Sequence, residues 1–382
     1  MNVIERQGAF DRLAAALTAR PLVGLVGPRQ CGKTWLARRY ILKFHPELPA
    51  GNILDLENLR DLARLETPLL ALESLSGLVV LDEVQHKPEI FQTLRVLADR
   101  PERIARFLVL GSASGAMLRQ SSESLAGRIR YVELTPLDLS EVGAEHAVKL
   151  WVRGGYPESF LAPDEEESYA WRSDFIDTFL QRDLGASIRM PALAMRRFWT
   201  MLAHLHGGML NLSDLGRSLG ISDTTARRYV DSLADSFMVR LLAPWHENVG
   251  SRQVKRPKVY VRDSGLLHAL LSLRNESDLL SSPRLGASWE GFALEETIRR
   301  KSIRDGEAYF WAIHEEAEID LFHIESGRRI GYEFKFTDSP KATRSMRRAI
   351  DALRLDSLTI IVPRGEVFQI DDTIKVVPLT SL

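Results

Sequence analysis

The residues Gly27-Pro28-Arg29-Gln30-Cys31-Gly32-Lys33-Thr34 have the spacing G-x-x-x-x-G-K-T, and the chemistry of that spacing is phosphate binding. An apolar run, Leu22 to Val26, leads into them as a strand would, and WLARRYIL follows as a helix. Glycines let successive backbone N–H groups wrap phosphates, and the helix N-terminus adds partial positive charge. Lys33 is then placed for the β- and γ-phosphates of ATP, and the Thr34 hydroxyl for Mg²⁺. A second apolar run, Gly77 to Leu81, ends in Asp82-Glu83. Asp82 is expected in the Mg²⁺ shell and Glu83 as the base that polarises the attacking water, the Walker B form of a hydrolysing ATPase. A third run, Phe107 to Leu110, ends in Gly111-Ser112-Ala113-Ser114. Ser112 is placed to sense the γ-phosphate, although serine after a strand is also ordinary turn chemistry.

A second constellation lies in the last third of the chain. Glu290 opens a helix, Asp320 falls in the strand-like Glu318 to Ile324, and Glu333-Phe334-Lys335 follows a Gly327 turn. Strand residues two apart share a face, so Glu333 and Lys335 point together and Asp320 can meet Glu333 across a hairpin. Carboxylates so grouped hold Mg²⁺ against a phosphodiester, with Lys335 orienting water or offsetting charge. The order of Glu290, Asp320, Glu333 and Lys335 resembles the PD-(D/E)xK nuclease superfamily, particularly junction resolvases and restriction-type folds. Ile319 stands where a proline often precedes the aspartate. Charged and apolar residues also alternate in any half-buried strand, so cleavage is a separate question from fold.

The segment LNLSDLGRSLGISDTTARRYVDSLADSFMVRLLAPW joins these regions. Ser213 can cap one helix, Gly220 makes a tight turn, and Ser222 or Asp223 can cap a second helix. The second helix carries Thr224, Thr225, Arg227, Arg228 and Tyr229, while Leu215, Leu219, Ile221, Ala226, Val230 and Leu233 supply an apolar face. Met238 to Leu242 reads as the first strand of a wing. By spacing this is a winged helix-turn-helix whose Thr224, Arg227 and Arg228 could enter a DNA groove. Such modules also bind proteins. Beyond it, Arg252, Lys255, Arg256, Lys258 and Arg262 could neutralise phosphates, or protect an edge strand. Upstream, Asp164 to Glu167 reads as the solvated start of a helix.

The residues GPRQCGKT, LVVLDEVQ, LGSAS, LAGRI and YVELTPLDLSE resemble the large prokaryotic family of AAA+-type ATPases whose C-terminal half is a domain of unknown function. Arg153-Gly154-Gly155-Tyr156-Pro157 and Gln181-Arg182-Asp183-Leu184 extend the resemblance over essentially the whole chain. It implies ATP hydrolysis with Mg²⁺ and assembly into a homo-oligomeric ring such as a hexamer. It also implies that Arg128 is an arginine finger offered to a neighbouring subunit; the alternative is a helix-end cation complementing the macrodipole. Arg182 and Asp183 could face nucleotide, another subunit, or only each other.

Behind these residues stands an α/β chain of 382 residues, long enough for two or three domains. We expect an AAA+-like parallel sheet with helices at 1–145, a helical lid at 146–200, a winged helix at 201–265 and a restriction-nuclease-like α/β domain at 266–382. With 45% hydrophobic and 26% charged residues the composition is that of an ordinary soluble protein. A net charge of −1 excludes a global basic field, so DNA contact must come from local patches. The single cysteine, Cys31, excludes an internal disulfide framework and fits a reducing cytoplasm. No apolar run reaches the roughly 18–20 residues that span a bilayer, and no leader is evident, so a cytoplasmic location is expected. Three functions fit: an ATPase that remodels or translocates DNA, branched DNA included; a signalling or scaffold ATPase with a protein partner; or an ATP-gated, metal-dependent nuclease.

Overall fold

The computed structural model describes residues 4–102, 104–112, 125–184, 191–247, 254–313 and 316–382. The chain divides into two compact units, Met1–Leu137 with Ser232–Phe237, and Asp138–Asp231 with Met238–Leu382.

The first unit is a five-stranded, all-parallel sheet: β1 (Leu22–Gly27), β2 (Ile53–Asp55), β3 (Gly77–Asp82), β4 (Ala105–Ser112) and β5 (Ile129–Glu133). Helices cover both faces, which is why the strands read as continuous apolar runs rather than alternating ones. Successive residues divide between two cores. Leu78, Val80, Leu108 and Leu110 pack with the helices Gln7–Ala19 and Lys33–Phe44. Val79, Leu81, Phe107 and Val109 pack with Leu72 and with Ile90, Phe91 and Leu94 on the other side. Strand order is β2-β3-β4-β1-β5. The chain leaves β1 for the far edge and returns through β3 and β4, bringing the carboxyl ends of β1, β3 and β4 together. Open parallel sheets bind ligands at such ends.

The second unit is mixed α/β. Its nine-stranded sheet runs β13-β14-β12-β11-β10-β9-β7-β8-β6. The helices Ala192–His204, Leu212–Leu219 and Asp223–Asp235 alternate with the short β6 (Gly208–Met209) and are followed by β7 (Val239–Pro244) and β8 (Lys258–Val261). β8 pairs antiparallel with both β6 and β7. β7 then pairs parallel with β9 (Tyr309–Ile313), so the expected border at 265/266 separates elements that share one sheet. β10 (Ala317–Glu325) and β11 (Arg328–Phe334) continue as antiparallel neighbours. The helix Arg344–Leu353 crosses over to β12 (Ser357–Val362), parallel to β11, and β14 (Ile374–Pro378), with the short β13 (Phe368–Gln369), closes the sheet. That helix seals one face through Met346, Ala349 and Leu353 against Ile319, Phe322, Leu358 and Ile360.

Two motifs have local structural explanations. In Arg153-Gly154-Gly155-Tyr156-Pro157, Gly154 has φ +76, and a Cβ there would stand 2.2 Å from Asp263 Oδ1. Asp263 accepts from Gly155 N at 2.8 Å and caps the helix Ser264–Leu270 through Leu266 N at 2.9 Å. The run Leu180–Leu184 forms a π turn in which Arg182 is exposed; the Asp183 side chain lies outside the described residues. Asp164 caps Glu165–Phe179, where the acidic run placed a helix start.

Candidate nucleotide site and a second charged cluster

The phosphate loop joins β1 directly to the helix Lys33–Phe44. Gln30 (φ 58) and Gly32 (φ 99) take left-handed backbone, which turns consecutive N–H groups inward as a nest for anions. Gly27 is required by space: a Cβ there would stand 2.1 Å from the Leu134 carbonyl oxygen. The loop is fastened from behind. Arg6 donates to Cys31 O at 2.8 Å and to Thr135 O at 2.9 Å. Cys31 is buried, its Sγ 3.3 Å from Leu134 O, and burial pushes its thiol pKa up. That makes it a packing residue rather than a nucleophile. Pro28 and Arg29 complete the loop, Arg29 reaching Glu57 at 3.6 Å.

Lys33 is buried and donates to Gly27 O (3.1 Å) and Pro28 O (2.8 Å). The Thr34 hydroxyl donates to Asp82 Oδ2 at 2.9 Å, and Glu83 N donates to Asp82 Oδ1 at 2.9 Å. Burial, reinforced by the Glu83 charge, raises the Asp82 pKa against the lowering hydrogen bond from Thr34. Glu83 itself has φ 53, an uncommon backbone for a non-glycine residue, and its carboxylate accepts from the Gln85 amide. Ser112 ends β4 in register with Gly27; its hydroxyl lies outside the described residues, as do residues 113–124. Arg128 forks onto Asp99, at 2.6 and 2.9 Å. A cavity of about 390 Å³ is bordered by Arg6, Phe10, Trp35 and Arg39; neither Asp82 nor Glu83 lines it. Sequence reading missed Arg6 and Gln85. Arg6 carries no sequence signal, whereas Gln85, two residues past the base, was open to question.

In the second unit, Glu290, Asp320, Glu333 and Lys335 do come together. Asp320 and Glu333 are hydrogen-bonded across β10 and β11, and Phe334 N donates to Asp320 Oδ2 at 3.0 Å. Lys335 Nζ is 3.4 Å from Glu333 and 3.9 Å from Asp320. Burial first, then the Asp320 charge, pushes the Glu333 pKa well up. For Asp320 burial is outweighed by the Glu333 hydrogen bond and by Lys258 and Lys335, which bring it down. Burial and Asp320 push Glu290 up to about 7.

The same cluster corrects one expectation. Lys258, taken from sequence as a surface phosphate contact, is 3% exposed. Its ammonium meets Glu290 Oε1 at 3.2 Å, Asp320 Oδ1 at 3.7 Å and Glu318 more closely still. Tyr260, on the same face of β8, donates to Glu290 at 2.6 Å. Period-two alternation puts Lys258 with Tyr260 and Glu318 with Asp320, but the meeting of those two faces carries no sequence signal. Lys255 and Arg256 are exposed as expected, and Arg252 lies outside the described residues. Among the described residues no three His, Cys, Asp or Glu side chains are grouped as a metal ion would need.

The helix Asp223–Asp235 exposes Thr224, Arg227 and Arg228 and buries Ala226, Tyr229 and Val230. Ser222 caps it through Thr225 N at 3.1 Å. The preceding helix begins after Asn211 rather than at Ser213, because the Ser213 hydroxyl instead donates to Asp223 at 2.5 Å. Gly220 makes the turn with φ 67.

A strand–loop–helix with this lysine and threonine, plus an Asp-Glu pair one strand removed in a parallel sheet, defines an AAA-type P-loop ATPase domain. Comparison agrees: the AAA domain family matches residues 19–143, and two domains of unknown function, DUF8612 and DUF4143, match 144–277 and 285–382. The uncharacterized proteins Mb2031c of Mycobacterium bovis and Rv2008c of Mycobacterium tuberculosis are each 48% identical over 381 residues, covering 100% of this chain and 85% of theirs. The chain belongs to their family. Among solved structures, the Walker-type ATPase paby2304 of Pyrococcus abyssi shares the fold at TM-score 0.50 and 14% identity, over 71% of this chain and 96% of that one. Among the described residues no helix is long and apolar enough to cross a membrane.

Proposed function

We propose that this protein hydrolyses ATP with Mg²⁺ and uses the cycle to bind and remodel or translocate DNA through its second unit. Thr34 and Asp82 offer adjacent hard oxygen donors, which suit Mg²⁺. When bound, that ion would neutralise phosphate charge. The chain's own part follows from its side chains. The loop N–H groups and Lys33 bind phosphate; Glu83, held by Gln85, accepts a proton from water as the water oxygen bonds to the γ-phosphorus and the β–γ bridge breaks. Arg128 serves as a finger to a second copy in a homo-oligomer, exchanging Asp99 for the neighbour's phosphate.

The observation carrying the DNA reading is the exposed row Thr224, Arg227 and Arg228 at positions i, i+3 and i+4 on a capped helix. Its setting of three helices with β6, β8 and β7 supports a winged helix, and Lys255 and Arg256 add exposed charge. The test is fluorescence anisotropy with duplex, forked and junction DNA over a salt series, alongside ATPase stimulation. Binding should weaken with salt, and Arg227→Ala and Arg228→Ala should each reduce the slope by about one. No binding at low salt to any of these structures, with turnover indifferent to nucleic acid, overturns the reading and favours a protein partner. Arg128→Ala should lower turnover where copies assemble; intact turnover at high protein concentration removes the finger.

A further inference from the structure

We infer that Lys258 is a built-in cation which occupies the divalent-metal position of the nuclease-like cluster, so that this domain holds its fold and its partner without metal and does not cleave. The inference rests on the nuclease-like reading of the second unit. It begins with strand periodicity: β8 carries Lys258 and Tyr260 on one face, and β10 carries Glu318 and Asp320 on one face. The helix Leu285–Arg300 adds Glu290. Three carboxylates, those of Glu290, Glu318 and Asp320, converge on one buried ammonium.

Charge makes the substitution self-consistent. Four carboxylates, those of Glu290, Glu318, Asp320 and Glu333, face the two ammonium groups of Lys258 and Lys335. Tyr260 donates to Glu290 Oε1, the same oxygen that Lys258 meets. The two ammonium groups thus offset part of the cluster's negative charge from inside the chain. A divalent ion binds oxygen at about 2.0–2.6 Å and brings two charges, so it must compete for these oxygens with an ammonium already buried among them. Lys258 also belongs to β8, the strand between β6 and β7, so the same contacts tie that part of the sheet to β10 and to the helix bearing Glu290.

Mn²⁺ alone, titrated into the nucleotide-free full chain and read by electron paramagnetic resonance, tests this. All proteins carry Asp82→Asn to remove the phosphate-loop carboxylate. With Lys258 present, no saturable Mn²⁺ uptake is expected at millimolar metal. Lys258→Met should gain one saturable site, tighter by tenfold or more, and lose it again when Asp320→Asn is added. A site in the Lys258-bearing protein that Asp320→Asn abolishes overturns the inference, and so does a folded Lys258→Met that takes up no Mn²⁺. Should Lys258→Met fail to fold, the Lys258-bearing titration still decides. Neither DNA nor ATP is present, so this result and the DNA-binding result fail independently.

Discussion

Each unit of this protein places lysine near carboxylates, and the two arrangements differ in where the positive charge rests. In the phosphate loop, Lys33 lies on the carbonyls of Gly27 and Pro28, apart from Asp82, which takes its hydrogen bonds from Thr34 and the Glu83 N–H. In the second unit, Lys258 lies among the carboxylates themselves. A cation held by neutral dipoles keeps its charge for a ligand, because carbonyls only weakly offset it. A cation locked to carboxylates is spent on the fold. Similar residue types therefore make a binding site in one place and a structural junction in the other.

The largest effect that would sharpen this contrast is kinetic. Glu83→Gln keeps shape and backbone but removes the base, so kcat should fall by about 10²–10⁴ with nucleotide affinity preserved. Steady-state turnover beside equilibrium binding of a fluorescent nucleotide measures both, and a fall in affinity alone would break the assignment. Next, the two lysines should separate in urea unfolding. Lys258→Met leaves buried carboxylates unpaired and should cost about 3–5 kcal/mol. Lys33→Met removes hydrogen bonds to carbonyls and should cost about 1 kcal/mol, while abolishing tight nucleotide binding. Equal losses would erase the distinction.

A smaller effect concerns Glu296, which accepts from Leu139 N at 2.9 Å and pairs with Arg299 at 2.9 Å. Burial outweighs the Arg299 charge and pushes its pKa from 4.5 up to about 7. The folded state then holds more protons than the unfolded state between these values, so stability falls as pH rises through that window. The slope from this one group should be about 1.4 kcal/mol per pH unit. Glu296→Gln should flatten the stability profile by that amount between the two pKa values and leave it unchanged above. Urea midpoints across the window give the answer, and an unchanged slope would show that Glu296 stays ionised.

The nucleotide site was legible because its geometry is local. Gly27 to Thr34 are contiguous, Asp82 and Glu83 are adjacent, and each group ends an apolar run that can only be a buried strand. The pairing of Asp320 with Glu333 was legible for a related reason: a hairpin and period-two alternation suffice to bring them together. Lys258 was not legible. Its neighbours on β10 and on the helix Leu285–Arg300 are 32 to 62 residues away in sequence, and a charged strand residue looks the same whether it meets water or carboxylates.

The sequence by itself determined which segment forms the phosphate loop, which strands are buried and which helix face is polar, since chain connectivity and side-chain period settle those locally. Only the tertiary structure decided that Arg6 fastens the phosphate loop, that Gln85 holds Glu83, and that β7 joins β9 in one sheet. The same is true of the Lys258 ammonium set among the carboxylates of the second cluster. Each of those depends on strand order and burial, and burial is what turns an ordinary surface charge into one that must find its partner.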